Sequence, residues 1–355
     1  MSDVDDSGHI IAQHKMDIHQ IKSGLTPFER GDILVAKITP CFENGKGANT
    51  KTLQTETGFG STEFHVLRNK KDGDFIFYHT ISHSFRQKLE REMTGSAGQK
   101  RVQVDSLGNY VIPFPGRSER RSIVDILSAQ DSIIVLKEKR LAEKQQQKKI
   151  YHAAVADRQR RLPGFEGVWK YIPAREIFKS ITDKKYSWDL QVLPSTQDRG
   201  IVPRDQVGID IKYEADSLSS YKKVEKGNFV ISLRSFQGGI EYSDYTGIVS
   251  TAYTVLKSIE KISDEYYKQF FKSTDYINRL NIAVYGIRDG KQISYEDFGR
   301  IKIPYPALDE QIAIAKVLST ADRENDLLRQ DIEQEKQKKK ALMQLLLTGI
   351  VRVTR

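Results

Sequence analysis

The sequence predicts a mixed α/β fold with two duplicated α/β units and two long helices. We expect the helices to pair as an antiparallel coiled coil with pseudo-twofold character. The phrase Ile-Pro-aromatic-Pro occurs at Ile112–Pro115 and again at Ile303–Pro306. Runs rich in branched apolar residues, typical of strands, precede each copy. A stretch without proline or glycine follows each copy, from about Glu119 to Arg161 and from about Glu310 to Leu347.

The two copies belong to one repeated unit. A shift of 191 positions aligns them without a gap, and slightly different shifts align STEFHVLR (61–68) with STAYTVLK (250–257) and ERGDILV (29–35) with EKGNFVI (225–231). Residues that are identical after the shift of 191 include, in the first copy, Leu89, Gly95, Gly108, Ile112, Pro113, Pro115, Glu119, Ile123, Leu127, Ser128, Asp131, Leu136, Gln146, Lys148 and Lys149. This agreement indicates an internal duplication.

Each unit predicts the same elements in the same order. Strands come first, in GDILVAKI (31–38) and GNFVISL (227–233). One helix follows, at 74–92 or 264–281, and then a basic loop with glycine, at 94–102 or 285–293. A strand then ends at the Ile-Pro-aromatic-Pro phrase, because proline cannot continue a sheet ladder. The predicted domains are a first unit at 1–115, a central spacer helix at 116–162, a second unit at 163–306 and a C-terminal spacer helix at 307–355.

The long helices carry apolar residues at spacings of three and four, which is typical of a coiled-coil seam. The seam residues are Leu127, Ile134, Leu141, Tyr151 and Val155 in the first helix and Leu318, Leu328, Ile332, Leu342 and Leu346 in the second. Polar residues interrupt the seam at Lys144, Lys148, Glu335 and Lys339. Two such helices most simply pack against each other, and the alternative is two independent surface helices. We interpret the charge runs in their middles as solvated faces.

Composition narrows the class of protein. The chain has 355 residues, of which 38% are hydrophobic and 29% charged, as in a globular protein of two or three domains. No apolar run reaches the length of a membrane span, and the first twenty residues lack the basic region and apolar core of a signal peptide. We therefore expect a cytoplasmic protein. The net charge of +9 favours a polyanionic partner, although many basic proteins bind no nucleic acid.

Motifs for catalysis and metal binding are weak. His79 and His83 have the i, i+4 spacing of metal ligands. The matching positions in the second unit are Lys268 and Lys272, so we interpret this face as basic surface. Asp210–Lys212 resembles the end of a metal-dependent nuclease site, but the triplet is common by chance. The sequence contains neither an N/D-P-P-Y/F tetrad nor a phosphate-binding G-x-x-x-x-G-K-S/T, and we expect no catalytic residue and no metal site.

The repeat is asymmetric at one place. The first unit has no counterpart of the segment Trp169–Phe178, since only 30 residues precede Gly31, whereas 63 residues run from Gly164 to the position before Gly227. We expect that the chain is truncated, that its start was assigned late, or that the first unit is completed otherwise. An exposed strand edge there would promote aggregation or pairing with another chain.

The order of elements, the phrases IPFPGRSER (112–120) and IPYPALDEQ (303–311), and the ending ALMQLLLTGIVRV (341–353) resemble the specificity subunit of Type I restriction-modification systems. The resemblance covers nearly the whole chain. It implies two target-recognition domains, each reading one half of a bipartite DNA site, and two helices that set the spacer. It also implies a subunit without catalytic activity that directs adenine methylation or restriction by its partners.

The resemblance further implies the partners. They are double-stranded DNA, two modification subunits and, in the full complex, restriction subunits. S-adenosylmethionine, ATP and Mg are then cofactors of those partners, and this chain binds none. The alternatives are a stand-alone bipartite DNA-binding protein, or the specificity part of another nuclease–methylase system.

Recognition of a DNA sequence requires side chains that reach the edges of the bases, and two loops in each unit offer such side chains. The units differ most in these loops while their scaffold phrases agree, as expected if each reads a different half-site. The candidate DNA-binding residues are Lys37, Thr39, Lys46, Gln99, Lys100 and Arg101 in the first unit and Arg234, Ser235, Gln237, Arg288 and Lys291 in the second. The alternative for each is an ordinary solvated surface residue.

Overall fold

The chain folds into two compact units, of which unit 1 comprises residues 1–140 and 328–355 and unit 2 comprises residues 141–327. The structure is a computed structural model that describes all residues except 22, 70, 97, 157–160, 187–189, 197–198, 207–217, 219, 234, 285–292 and 354–355. The boundaries between the units fall within the two long helices. The predicted mixed fold with a duplicated unit is confirmed, while the bounds of the four predicted domains stay predictions.

Unit 1 contains two small sheets and three short helices. Its elements are β1 (Thr26–Glu29), β2 (Ile33–Ala36), β3 (Gly47–Asn49), β4 (Thr57–Gly60), β5 (Phe64–Leu67), α1 (Gly73–Thr80), α2 (His83–Arg91), α3 (Val104–Gly108), the first part of α4 (Arg117–Ala156) and the last part of α9 (Leu308–Leu347). Antiparallel strands form a sheet of order β3-β2-β5 and a separate pair β1-β4. Apolar residues of β2 alternate between two clusters, so that Ile33 and Val35 pack towards the helices, while Leu34 and Ala36 pack in a cluster with Val4 and with Phe28 of β1.

Unit 2 repeats this plan with additional strands. Its elements are the last part of α4, β6 (Lys170–Pro173), β7 (Phe178–Ile181), β8 (Ser195–Thr196), β9 (Gly200–Ile201), β10 (Lys222–Val224), β11 (Phe229–Ile231), α5 (Ser235–Gly238), β12 (Glu241–Tyr242), β13 (Gly247–Val249), β14 (Thr254–Ser258), α6 (Asp264–Phe270), α7 (Thr274–Val284), α8 (Tyr295–Arg300), β15 (Lys302–Tyr305) and the first part of α9. The main sheet has the order β12-β11-β14-β7, and β15 pairs with β6.

Aromatic rings fill the core of unit 2. Phe178, on β7, is fully buried, and its ring lies 5.2–5.5 Å between centroids from those of Phe229, Tyr267 and Phe271. These rings join β7, β11 and the helical layer into one apolar cluster. Burial of rings of this size is the largest apolar contribution that single residues make to a core.

The long helices α4 and α9 pair in antiparallel fashion. In unit 1, Asp131 contacts Lys339 and Lys137 contacts Glu335, while in unit 2, Lys144 contacts Glu324. Residue numbers rise along one helix as they fall along the other, which defines the antiparallel direction. The predicted seam residues Leu127, Ile134, Leu318, Ile332 and Leu346 are buried. Tyr151 is instead exposed, and the side chain of Val155 lies outside the described residues.

Each lysine or glutamate that interrupts the predicted seam is paired across the helices. Lys144 bonds Glu324 at 2.8 Å, Lys148 bonds Asp322, and Lys339 lies 2.5 Å from Asp131. Glu335 accepts from Lys137 at 2.7 Å and from Gln130 Nε2, also at 2.7 Å. The interruptions therefore fix which residues face each other, because a slipped register would separate these charges.

Two local predictions are wrong. Each unit carries two helices where one was predicted, because Ser82 and Ser273 accept hydrogen bonds from the backbone N–H groups of Phe85 and Tyr276 and so begin a new helix. The Ile-Pro-aromatic-Pro phrase forms strand β15 in unit 2, but residues 111–114 of unit 1 form no strand. In unit 2 the phrase pairs with β6, and no described residue pairs with residues 111–114 in unit 1.

The start of each long helix is bound by the chain that follows the other helix. Glu310 accepts from the guanidinium of Arg161, and from Trp169 Nε1 at 2.9 Å. The equivalent Glu119 accepts from Arg352 Nε and Nη2, at 2.7 Å each. Both pairs are related by the shift of 191, so the duplication extends to the ion pairs. Among the described helices, none is both long and apolar enough to cross a membrane.

Candidate nucleic-acid interface

Unit 1 brings its two predicted loops together. The first loop (residues 37–46) follows β2, and the second (residues 94–102) follows α2. The N–H of Thr39 donates to Lys100 O at 2.9 Å, and the N–H of Val102 donates to Lys37 O at 2.8 Å. These backbone bonds hold the two loops side by side, although 47 residues (47–93) lie between them along the chain. We call them the loop pair of unit 1.

The first loop presents few free polar groups. Lys37 and Thr39 are half-buried, and Thr39 Oγ1 donates to Glu43 Oε1 at 3.3 Å. Lys46 Nζ donates to the carbonyl oxygens of Met1 and Val4, at 3.3 and 3.5 Å. Lys46 therefore secures the first residues of the chain against the loop, and would have to exchange those bonds to contact a phosphate.

In the second loop, Gln99 and Lys100 are exposed, as are Thr94 and Ser96. Arg101 instead forms a forked ion pair, with its Nε 3.0 Å from Glu63 Oε2 and its Nη2 2.9 Å from Glu63 Oε1. The hydrogen bonds from Arg101 lower the pKa of the Glu63 carboxyl, which favours the charged pair. Of the residues predicted in this unit, Gln99 and Lys100 are those whose side chains are fully available to a ligand.

Arg86, which the sequence did not single out, supports the first loop from inside. It is buried, and its guanidinium donates to Thr80 O at 2.8 Å, Phe42 O at 3.2 Å and Gly45 O at 3.1 Å. It also lies 4.7 Å from the ring centroid of Phe42. Burial lowers the pKa of this guanidinium to about 10. In the sequence, Arg86 lies three residues before Leu89, which places both on the apolar face of α2. This spacing is the signal that could have indicated the burial of Arg86.

Unit 2 presents its counterpart directly after β11. Gln237 is exposed, whereas the Ser235 hydroxyl is buried and accepts from the N–H of Ser232 at 2.9 Å. Ser235 therefore shapes the turn from within. Gly239 has φ of +79°, and a Cβ there would lie 2.0 Å from Phe271 O, so only glycine lets this loop approach the C-terminal end of α6. Arg234, Arg288, Lys291 and the triplet 210–212 lie outside the described residues.

The two histidines do not share a helix. His79 is buried near the end of α1 and His83 is exposed at the start of α2. With Ser82 matched to Ser273, His79 corresponds to Phe270, so the predicted match to lysine and to a basic surface is wrong for this residue. Burial lowers the pKa of His79 to about 4, and His79 Nε2 has no hydrogen-bond partner among the described residues. The described residues contain no group of three or more His, Cys, Asp or Glu arranged to hold a metal ion.

Comparison with known proteins gives one consistent family. Residues 16–145 and 169–337 match the family described as Type I restriction modification DNA specificity domain. The EcoEI specificity subunit of a Type I restriction enzyme from Escherichia coli is 44% identical over 112 residues, which are 31% of this chain and 19% of that protein. This chain thus spans only about a fifth of that relative.

Two more distant proteins match most of the chain. A putative MjaX specificity subunit from Methanocaldococcus jannaschii is 25% identical over 308 residues, covering 81% of this chain and 70% of that protein. A solved chain from a study of the assembly and conformational transition of the type I R-M system superposes with a TM-score of 0.63 at 17% identity, covering 99% of this chain and 90% of that one. The superposition supports the fold.

Proposed function

Since this chain belongs to the Type I restriction modification DNA specificity family, we propose that it reads the DNA sequence for a Type I restriction-modification system. The observation that carries the proposal is the duplicated loop after β2 and after β11. The loop after β2 is bonded to the loop that carries the exposed Gln99, and the loop after β11 itself carries the exposed Gln237. Glutamine suits bidentate reading of adenine, and the neighbouring Lys100 suits guanine or phosphate.

We propose that the helices bind the modification subunits. Leu136 on α4 and Leu327 on α9 are equivalent after the shift of 191 and are 65% and 59% exposed. Ile126 and Val317 form a second equivalent pair of exposed apolar residues. Apolar side chains exposed at repeated positions are typical of an interface that is used twice. They support two modification subunits, one on each copy, with restriction subunits joining in the full complex.

The chemistry is then divided between chains. In this proposal the present chain binds DNA and holds no cofactor, and the modification subunits bind S-adenosylmethionine and methylate adenine. ATP and Mg act in the restriction subunits. The absence of an N/D-P-P-Y/F tetrad and of a P-loop from the sequence supports this division.

The test is reconstitution with a modification subunit. The purified chain is incubated with labelled S-adenosylmethionine and a DNA library, alone and with the modification subunit. We expect no methyl transfer by the chain alone and methylation at one bipartite site in the complex. Methyl transfer by the chain alone would contradict the proposal. Sequence-specific binding by the chain, with no association with the modification subunit in sedimentation, would favour a stand-alone DNA-binding protein.

A further inference from the structure

The first helix of each globular part packs against a long helix of the same unit. This helix is α1 in unit 1 and α6 in unit 2, and the two are equivalent after the shift of 191. In unit 1, Phe75 of α1 shares one apolar cluster with Ile123 and Leu127 of α4. Such packing fixes the angle between two helices only to within about 15–20°. Hydrogen bonds weaken steeply when their angle changes, so polar contacts can fix the angle more closely.

A polar contact lies at the start of this helix in both units, and we call it the start contact. Arg120 Nε donates to Oδ1 of Asp72, the residue directly before α1, at 3.0 Å. At the equivalent positions of unit 2, the N–H of Ser263 donates to Gln311 Oε1 at 2.9 Å. The side chains of Arg120 and Asp72 are only 12% and 16% exposed, and Gln311 is fully buried. Water therefore screens these contacts less than it screens surface ion pairs.

A second polar contact, the end contact, lies at the last turn of the same helix. In unit 1 the Tyr78 hydroxyl donates to Asp131 Oδ2 at 2.8 Å. The other oxygen of Asp131, which lies on α4, pairs with Lys339 of α9 at 2.5 Å. One carboxylate thus joins α1 to both long helices.

Unit 2 has the end contact at the same three positions after the shift of 191. Gln269 Nε2 donates to Asp322 Oδ2 at 2.7 Å, and Lys148 pairs with the same carboxylate. The donor from the globular part is an amide here and a phenol in unit 1, whereas the aspartate and the lysine are the same. The two units therefore share the place of the contact, although the chemistry of the donor differs.

Two contacts that lie apart define a direction, whereas one contact would act as a pivot. On α4 the contacts lie 11 positions apart, which is about 16 Å along the helix axis. From residue 72 to residue 78 the distance along α1 is about 9 Å. A turn of 15–20° about the start contact would move the other end of α1 by about 2–3 Å. That displacement is enough to break the hydrogen bond from Tyr78.

We propose that the start and end contacts fix the angle of each globular part on its helix pair, and through that angle the number of base pairs accepted between the two half-sites. The positioning residues are then Asp72, Tyr78 and Asp131 in unit 1, with Ser263, Gln269 and Asp322 in unit 2. One additional base pair moves a half-site by about 3.4 Å along the DNA axis. This is close to the displacement that the end contact prevents. The part of the proposal that concerns base pairs rests on the proposed function, and the part that concerns the angle does not.

The test variant is the double substitution Asp72→Ala and Tyr78→Phe, which removes both contacts of unit 1 and keeps the tyrosine ring. The matched control is Asp74→Ala with Tyr110→Phe. Asp74 also lies on α1, but it accepts from Asn49 Nδ2 at 2.9 Å, and the Tyr110 hydroxyl donates to Ser84 Oγ at 3.5 Å. Neither of these bonds reaches a long helix. If the double variant does not fold, Tyr78→Phe alone, which removes one oxygen atom, undergoes the same measurements.

The angle is measured without DNA. Spin labels are attached to the full-length chain at Gln87→Cys on α2 and Lys139→Cys on α4, two exposed positions of unit 1, with Cys41→Ala to remove the native thiol. Double electron–electron resonance gives the distribution of distances between the labels. We expect a wider distribution in the test variant than in the control variant, which should match the wild type. Equal widths in all three proteins would overturn the proposal.

The spacing is measured with the modification subunit and a DNA library in which both half-sites are fixed and the gap between them varies. We expect the preference for the native gap over a gap one base pair longer or shorter to fall about tenfold in the test variant, as for the loss of one or two hydrogen bonds of ordinary strength. A second library, with randomised half-sites, should give the same bases as the wild type.

An unchanged preference for the gap in the test variant, or a change in the selected bases, would contradict the role in spacing. If the wild-type complex selected no bipartite site, the proposed function would fail. The distances between the spin labels would then still decide whether the contacts hold the angle.

Discussion

His79 shows how one buried side chain makes stability depend on pH. Its pKa is about 4 in the folded chain because burial disfavours the charged ring, against 6.5 when exposed. The unfolded chain therefore takes up a proton between pH 6.5 and 4 while the folded chain does not. Stability falls as the pH drops through that window, by at most about 3 kcal/mol.

We expect His79→Phe, the residue found at the equivalent position 270, to remove this dependence. The measurement is urea unfolding of both proteins between pH 7 and pH 4.5. As the pH falls across this window, the free energy of unfolding should decrease more steeply for the wild type than for the variant. Above pH 7, the free energies of unfolding of the two proteins should change with pH at nearly the same rate. An unchanged difference in unfolding free energy at every pH would mean that folding does not shift the pKa of His79.

Arg161 and Arg352 form equivalent ion pairs, with Glu310 and Glu119, that differ in their exposure to water. Glu310, the partner of Arg161, is fully buried, whereas Arg352 is largely exposed. We expect Arg161→Ala to cost about 3 kcal/mol, because it leaves a buried carboxylate without its cation. Arg352→Ala, the matched control, should cost clearly less, because water reaches the pair. Urea unfolding of the two variants measures both, and equal losses would contradict the difference in depth.

At the scale of elements, the contacts between α4 and α9 combine apolar packing with charge pairs. Hydrogen bonds from Lys137 and Gln130 hold the pKa of Glu335 at about 2, below its usual 4.5. Because the folded pKa is depressed, the stabilisation is complete above about pH 4.5 and is lost as the pH falls towards 2. We expect Glu335→Gln to be less stable than wild type at pH 7 and to converge with it below pH 3.

Glu333→Gln is the matched control for that experiment. Glu333 lies on the same helix, one turn before Gln337, whose Nε2 donates to it at 2.8 Å. Within the described part of the chain, Glu333 makes no hydrogen bond or ion pair with α4. Its substitution should leave the pH dependence of unfolding unchanged, and a loss equal to that of Glu335→Gln would show that any glutamate on this helix has the same effect.

The exposed leucines of the two helices should bind partners separately. We expect Leu136→Glu and Leu327→Glu each to remove one modification subunit from the complex, and the double variant to remove both, because a charge opposes burial in an apolar interface. Sedimentation with excess modification subunit measures the stoichiometry. Gln146→Glu, at an exposed polar position of α4, is the control that should keep both subunits. Full stoichiometry in the double variant would place the interface elsewhere.

At the scale of the whole molecule, each unit should read its own half-site. We expect Lys100→Glu, in unit 1, to weaken binding of the complex to DNA by about tenfold or more. We expect Gln237→Ala to relax base selectivity only in the half-site that unit 2 reads. Selection from a randomised DNA library measures both effects. Lys139→Glu, an exposed charge reversal on α4, should leave the selected sequence unchanged. If both loop variants changed the same half-site, the assignment of one half-site to each unit would fail.

The sequence predicted the duplication, the long helices and the asymmetry between the units, because each leaves a periodic or positional pattern. The seam leucines and the proline phrases are such patterns. The break at Ser82 and the burial of His79 were missed, since a serine cap inside a helical run and a histidine on an apolar face resemble ordinary helix residues. The ion pair between Arg101 and Glu63 also could not be predicted from the sequence. The two residues lie 38 positions apart, and only the folded sheet brings them together.

Unit 1 is assembled from two distant parts of the chain, residues 1–140 and residues 328–355, whereas unit 2 is one uninterrupted stretch. During synthesis on the ribosome, the residues of unit 2 are therefore all present while Met343, Leu346 and Leu347, which belong to the core of unit 1, have not yet been made. The unit that comes first in the sequence is the last to be completed. A nascent chain would thus carry an unfinished apolar core through most of its translation, and chaperone binding should concentrate there.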